Sequence, residues 1–225
     1  MHRLRLPRWA IERGRRLNAF AGLSSRTALV NIDMQSAFVA EGEVFGNHHA
    51  RDIVPNVNAL ARAMRAIGAP VIWTRQTYAI EGPGAEPGWR YDLSDPQVAR
   101  ATAALTEGSP GHALYPAMEV APQDVVLDKH RFGAFSCPVR RLPETLERLG
   151  AEMIVISGTL TNVCCESTAR EAYMAGFKVI VVSDATAAVT EAEQNAALMN
   201  LRLNFADVKR TREVIALIRG AQLSS

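Results

Sequence analysis

Three side chains that could act together in covalent chemistry follow apolar runs at separate points of the sequence. Asp33 ends the run TALVNID, Lys129 ends the run DVVLDK, and Cys164 comes shortly after the run EMIVISG. A carboxylate can take the proton of a thiol, an ammonium group can stabilise the resulting negative charge, and a thiolate attacks carbonyl carbon. Each residue also has an ordinary explanation: a turn-closing Asp33, a solvated loop lysine and a small buried cysteine.

The elements that must position these side chains alternate from residue 27 onward. Strands are predicted at 27–33, 70–75, 124–129, 152–158, 177–184 and 206–208. Helices are predicted at 55–68, 96–106, 139–150, 162–175, 191–204 and 211–220, and a long loop at 76–95. Strands that alternate with helices predict an α/β fold with three α/β/α layers, Rossmann-like, around a six-stranded, mostly parallel sheet.

Sites in open parallel sheets lie outside the carboxyl ends of the strands. The residues at these ends are Asp33, Arg75, Lys129, the 158–164 loop and Asp184. Because all six strands are expected to run the same way, Asp33, Lys129 and Cys164 are expected at one edge of the sheet. Arg75 could pair with a substrate carboxylate there, or with an acidic residue of the surface.

The residues around Cys164 are typical of the start of a helix. Thr161 or Asn162 is a suitable N-cap, and Glu166 is placed for a contact like that of a capping box. Cys164 would then lie in the first turn, where the helix dipole lowers a thiol pKa and free N–H groups can hold an oxyanion. Cys165 is rotated by ~100° about the helix axis and is expected to pack in the core.

Composition excludes several classes of protein. The 225 residues suit one α/β domain, the net charge of +2 gives no argument for nucleic acid or a membrane surface, and no run of ~18 apolar residues occurs. Three cysteines, with Cys137 apart from the adjacent pair, indicate reduced thiols in a cytoplasmic protein. A metal site is an alternative, but there is no CxxC, and the neighbours His48 and His49 have no second cluster beside them.

Residues 1–25 form a separate basic arm before the domain at 26–225. Six arginines face the single acid Glu12 in its first sixteen residues, and no apolar stretch suits a secretory signal. Such an arm could be a transit peptide or a nucleic-acid arm, but packing on a neighbouring subunit is the simpler interpretation.

Three sequence blocks resemble the isochorismatase-like cysteine hydrolases. They are VNIDMQSAF, DKHRFGAF and SGTLTNVCCESTAREAYMAG, which occur in the family's order, and the resemblance covers about residues 26 to 210. It implies the isochorismatase-like hydrolase fold and a Cys–Asp–Lys triad of Cys164, Asp33 and Lys129. It also implies a cis peptide between Thr159 and Leu160, with an oxyanion hole formed by the N–H groups of Leu160 and Cys164.

The same resemblance implies a mechanism. Asp33 takes the thiol proton, Lys129 stabilises the charges, and Cys164 attacks an amide carbonyl to give a thioester that water hydrolyses. No cofactor is expected, and the family commonly forms dimers or tetramers, so the resemblance implies a homodimer or homotetramer.

Departures from the family pattern narrow the activity. True isochorismatases lack the nucleophilic cysteine, so Cys164 favours cleavage of the C–N bond of a small amide or a carbamoyl or ureide compound. Nicotinamidases bind a metal through an Asp and two His after the second strand, where this chain has Gln76 and Tyr78. We therefore expect no metal and a site most similar to that of ureidoacrylate and N-carbamoylsarcosine amidohydrolases.

The substrate pocket is expected to involve Phe38, Trp73, Gln76 and Phe132, although aromatic side chains near strand ends are as often part of the core. Two alternative functions remain open: a nicotinamidase-like amidase with an altered metal loop, and a catalytically silent member that binds a ligand or a protein. The complete triad disfavours the silent member.

Overall fold

The computed structural model describes residues 1–23 and 26–222. In these residues, one six-stranded sheet has the order β3-β2-β1-β4-β5-β6. Every neighbouring pair is parallel. The strands are β1 (Thr27–Ile32), β2 (Val71–Gln76), β3 (Val125–Lys129), β4 (Met153–Thr159), β5 (Lys178–Ala187) and β6 (Asp207–Lys209). The predicted α/β fold with six strands is confirmed, and the sheet is parallel throughout.

The strand order places a crevice at the centre of the carboxyl edge. The chain runs outward from β1 to β3 and then returns to β4 on the other side of β1. The ends are in register, because Ile32 pairs with Gly158 and Gln76 pairs with Lys129. Residues that follow β1, β3 and β4 therefore meet near the point where the strand order reverses.

The helices largely follow the predicted positions. They are α1 (Arg8–Asn18), α2 (Ser36–Val39), α3 (His48–Asp52), α4 (Val54–Ala66), α5 (Pro96–Ala104), α6 (Arg141–Arg148), α7 (Glu166–Met174), α8 (Glu191–Asn204) and α9 (Thr211–Gln222). The helices α1, α2 and α3 were not predicted. The bounds of α8 match the prediction, since Thr190 and Glu193 form a capping box at its start.

Both faces of the sheet are buried. Neighbouring residues of β1 point to opposite faces, so that Leu29 belongs to one core cluster and Val30 to the other. The first cluster includes Leu60 of α4, and the second includes Leu198 of α8. Continuous apolar strands are expected when helices cover both faces.

The basic N-terminal segment forms α1, which packs on α8 of the same chain. The two helices approach so closely that a Cβ added to Gly14 would lie 2.6 Å from the Arg202 carbonyl oxygen. The predicted boundary between arm and domain falls after residue 25, and residues 24 and 25 lie outside the described residues. In the described part of the chain, no helix has the length and apolar character that crossing a membrane requires.

Candidate active site

The three reactive side chains meet at the carboxyl edge of the sheet. Lys129 Nζ lies 2.7 Å from Asp33 Oδ2, and the Cys164 thiol is close enough to both groups that each affects its pKa. Asp33 is 0% exposed and Lys129 2%, whereas Cys164 is 6% exposed and lines a cavity. The thiol is therefore the member of the cluster that a small molecule can reach.

Asp33 is held by the neighbouring strand. Its φ of +50° is uncommon for a residue other than glycine and turns the chain sharply at the end of β1. Its N–H donates to the Thr74 carbonyl at 3.1 Å, and the Thr74 hydroxyl donates to Asp33 Oδ1 at 2.7 Å. One carboxylate oxygen is thus occupied by Thr74, and the other faces Lys129.

Lys129 is held by one ion pair and two hydrogen bonds. Its Nζ pairs with Asp33 Oδ2 and donates to Gln76 Oε1 at 2.6 Å and to the Arg131 carbonyl at 3.1 Å. Although burial lowers the pKa of Lys129, interactions with Asp33 and Cys164 raise it above its ordinary value. Lys129 is therefore a fixed positive charge.

Cys164 lies in a π-helical turn, Thr161–Cys165, between β4 and α7. The structure has the predicted cis peptide between Thr159 and Leu160. The N–H groups of Val163 and Cys165 donate to the Leu160 carbonyl at 3.2 and 3.1 Å.

The predicted helix cap at this turn is wrong. Neither Thr161 nor Asn162 caps the helix with its side chain. The Thr161 hydroxyl instead donates to Gln194 Oε1 of α8 at 2.6 Å, and the Glu166 carboxylate accepts from Arg170. A tertiary hydrogen bond has replaced the local cap, and a sequence window around the turn does not include its partner.

The prediction of a lowered thiol pKa is also wrong. Burial raises the pKa of the Cys164 thiol to about 12. The Lys129 ammonium acts in the opposite direction, but the Asp33 carboxylate beside it raises the pKa further. The thiol is therefore protonated at neutral pH in the free protein, and a base must remove its proton during the reaction.

The other two cysteines are structural. Cys165 is completely buried in the core, as predicted, and burial raises its pKa well above the ordinary value. Cys137 is also buried, and its sulfur accepts a hydrogen bond from the His130 N–H at 3.3 Å. This contact is the partner of Cys137 that the sequence did not indicate.

A cavity of about 260 Å³ opens at Cys164. Three predicted pocket residues, Phe38, Gln76 and Phe132, line it. The lining residues that were not predicted are Phe45, Tyr78, Tyr91, Ala101, Thr102, Leu105 and Val163. Several of them lie in loops, where no periodicity indicates which way an aromatic side chain points.

Two expected pocket contacts are absent. Trp73 is fully buried in the core and does not line the cavity, and its Nε1–H donates to Asp124 Oδ2 at 2.8 Å. Arg75 pairs with Asp128 through two contacts of 2.7 and 3.0 Å. Although burial favours neutral Asp128, hydrogen bonds from His112 and Arg75 hold the pKa of Asp128 well below its usual range. Arg75 is therefore already neutralised.

The remaining strand-end residue, Asp184, also has a structural role. Its Oδ1 accepts from the N–H and the hydroxyl of Thr211, at 2.7 and 2.8 Å, where α9 begins. Asp184 therefore caps a helix and does not belong to the cavity.

The residues around the cavity do not fit a metal ion. In the described parts of the chain, no group of three or more His, Cys, Asp or Glu side chains is arranged to hold one. Gln76 and Tyr78 line the cavity. The His112 and His130 rings bond the Thr77 hydroxyl and carbonyl, at 2.8 and 3.0 Å. We therefore derive no step that involves a metal.

The fold and this cluster define a class of protein: an α/β protein with a fully parallel sheet and a buried thiol beside an Asp–Lys ion pair at the carboxyl edge of that sheet. Residues 27–213 match the family described as Isochorismatase domain. The chain therefore belongs to the isochorismatase family.

Individual relatives are similar over most of their length. The chain is 31% identical to Nicotinamidase 3 of Arabidopsis thaliana over 81% of this chain and 84% of the relative. It is 30% identical to the ureidoacrylate amidohydrolase RutB of Methylobacterium radiotolerans, over 80% of this chain and 74% of the relative. A cysteine hydrolase structure from Pseudomonas syringae pv. phaseolicola superposes with a TM-score of 0.79 at 28% identity, covering 91% of this chain and 98% of that one.

Proposed function

We propose that the protein hydrolyses the C–N bond of a small amide, carbamoyl or ureide compound through a thioester on Cys164. The observation that carries this proposal is the Asp33–Lys129 ion pair beside a thiol at the end of a cavity. The names of the relatives, a nicotinamidase and a ureidoacrylate amidohydrolase, support hydrolysis of amides.

The first half of the reaction forms the thioester. Asp33 Oδ2 takes the thiol proton while the Cys164 sulfur attacks the carbonyl carbon, and Lys129 stabilises the negative charge that moves from carboxylate to sulfur. The carbonyl oxygen becomes an oxyanion, for which the N–H groups of Leu160 and Cys164 are the proposed donors. Removing one such donor typically costs ~3–4 kcal/mol of transition-state stabilisation.

The second half releases the acid. When the tetrahedral intermediate collapses, the C–N bond breaks and Asp33 returns its proton to the leaving nitrogen, which departs as ammonia or an amine. Water then attacks the thioester, with Asp33 again as the base, and the C–S bond breaks to free the thiol. A ureide gives carbamate first, and carbamate decays to ammonia.

Ammonia release from a panel of amides tests this proposal. The panel contains ureidoacrylate, N-carbamoylsarcosine, biuret, maleamate, nicotinamide and benzamide, and the protein is treated with EDTA beforehand. We expect at least one compound to release ammonia, and Cys164→Ala to lower kcat/KM by about 10⁴-fold or more, because the nucleophile is lost.

Cys165→Ala is the matched control. Cys165 is adjacent to Cys164 in sequence, but its side chain faces the core. We therefore expect Cys165→Ala to release ammonia at a rate near that of the wild type. Ammonia release that persists in Cys164→Ala, or that EDTA abolishes, would contradict the proposed mechanism.

A further inference from the structure

We propose that the substrate carries an uncharged, apolar acyl group, and that aromatic carboxamides are the class that fits best. This inference rests on the proposed function, whose substrate class it specifies. It separates this protein from an enzyme for carboxylate-bearing ureides, because none of the described residues that line the cavity carries a positive charge to pair with a carboxylate.

The cavity wall is the first observation. Around the thiol it consists mainly of aromatic and aliphatic side chains, and the polar groups are those of Gln76 and Thr102 and the hydroxyls of Tyr78 and Tyr91. Of the described residues that line it, none carries a charge. The Thr102 hydroxyl already donates to carbonyls of its own helix at 3.0 Å. A carboxylate that entered this cavity would lose its water without gaining a cation.

Four cations on segments that carry cavity residues are already paired. Arg75 is held by Asp128, and Lys129 is held by Asp33. Arg90 and Arg131 both approach Glu86, at 3.1 and 3.5 Å.

Arg90 and Arg131 have further fixed contacts. The Arg90 guanidinium lies 4.7 Å from the ring centroid of Phe132. Arg131 donates to the His130 and Ala85 carbonyls at 2.6 and 3.0 Å. Using either guanidinium to bind a carboxylate would therefore require breaking an ion pair, which disfavours an anionic substrate.

The size of the cavity and the arrangement of its wall favour a substrate with an aromatic ring. Benzene binds in an apolar cavity of about 150 Å³, so about 260 Å³ accommodates a ring with its carboxamide. The rings of Phe38 and Phe45 stack at 5.3 Å, and those of Tyr78 and Tyr91 meet edge to face at 5.4 Å. Both arrangements offer ring faces and edges to an aromatic guest.

A pair of substrates of equal shape tests the charge preference. We expect kcat/KM for 4-acetylbenzamide to exceed that for 4-carbamoylbenzoate by about 100-fold or more, because only the second buries a carboxylate. The kcat/KM for ureidoacrylate is expected to be as low as that for 4-carbamoylbenzoate. Equal or faster turnover of either carboxylated compound, lost in Cys164→Ala, would overturn the substrate class and leave the proposed function standing.

An introduced cation provides a second test. Phe45 is 39% exposed at the cavity, so an arginine there can be accommodated. In Phe45→Arg, the ratio of kcat/KM for 4-acetylbenzamide to kcat/KM for 4-carbamoylbenzoate is expected to fall by about 10-fold or more. The arginine supplies a positive charge that can pair with the carboxylate. The control Phe45→Met is expected to keep the wild-type ratio, and an unchanged ratio in Phe45→Arg would count against the proposed cause.

Binding to Cys164→Ala separates this inference from catalysis. We expect calorimetry to detect 4-acetylbenzamide more tightly bound than 4-carbamoylbenzoate by about 10-fold or more. If no amide released ammonia in a Cys164-dependent manner, the proposed function would fail, and the binding preference would still decide whether the cavity selects neutral rings. Tighter binding of 4-carbamoylbenzoate would overturn the inference.

Discussion

At the scale of residues, burial and the Asp33 carboxylate hold Cys164 neutral, although the Lys129 ammonium acts in the opposite direction. The buried ion pair has no net charge, so the thiol next to it gains little from the ammonium group and loses its hydration. Proton transfer to Asp33 changes this balance, because the positive charge of Lys129 is then unpaired. The thiolate therefore becomes favourable only when the carboxylate is protonated.

This coupling predicts opposite effects of Asp33→Asn on two rates. Loss of the Asp33 charge removes one cause of the raised thiol pKa, so Cys164 should react with iodoacetamide at pH 8.5 about 10-fold faster or more. Turnover should fall by about 100-fold or more, since the proposed general base is gone. Alkylation is followed by peptide mass mapping, and ammonia release is followed in parallel.

The control is another aspartate at a strand end. Asp184→Asn keeps an acceptor for Thr211 and lies outside the reactive cluster, so both rates should stay close to those of the wild type. Slower alkylation of Cys164 in Asp33→Asn would show that the carboxylate does not hold the thiol in its neutral form.

At the scale of elements, α8 braces the turn that carries Cys164. Gln194 is 1% exposed, and its Oε1 accepts from the Thr161 hydroxyl at 2.6 Å and from the Ala188 N–H at 2.9 Å. Its Nε2 donates to the Thr186 carbonyl at 3.1 Å. One side chain therefore joins α8, the end of β5 and the π-helical turn, which makes Gln194 a positioning residue.

Gln194→Leu tests this role. The substitution leaves buried polar groups without partners and should lower the free energy of unfolding by about 2–4 kcal/mol. Because the turn that carries Cys164 then loses its hydrogen bond to α8, kcat should fall by about 10-fold or more, while KM changes little. Both are measured well below the melting transition, with stability followed by urea unfolding.

Asn200→Leu is the matched control on the same helix. Asn200 is exposed, so the same kind of amide-to-leucine change should alter neither stability nor kcat appreciably. Wild-type kcat in fully folded Gln194→Leu would indicate that the bridge contributes to stability alone.

At the scale of the whole molecule, the sequence predicts the sheet and the convergence of the reactive residues. Asp33, Lys129 and Cys164 follow strands that periodicity detects, and parallel strands bring their carboxyl ends to one edge. The prediction for α8 succeeds because its cap, Thr190 with Glu193, is local in sequence. The positions of the strands and of this locally capped helix are therefore predictable, although α1, α2 and α3 were not predicted.

Partners from distant segments are not predictable in this way. The orientation of the Trp73 side chain depends on its hydrogen bond to Asp124, and the Thr161 hydroxyl donates a hydrogen bond to Gln194. The pKa of Cys164 depends on how deeply three segments together bury it. The aromatic side chains of the cavity belong partly to loops, whose conformation no periodicity specifies.

The packing of α1 on α8 leads to a prediction for the whole fold. In Gly14→Val, the new Cβ would meet the Arg202 carbonyl, which cannot rotate away, so α1 must move off α8. Valine and glycine differ by only a few tenths of a kcal/mol in helix propensity, so overpacking dominates and should cost about 1–3 kcal/mol in urea unfolding. Gly22→Val is the control, since a Cβ there meets nothing within 4 Å, and it should stay within about 0.5 kcal/mol of the wild type. Equal unfolding midpoints for the two variants would mean that α1 is not packed on α8 in solution.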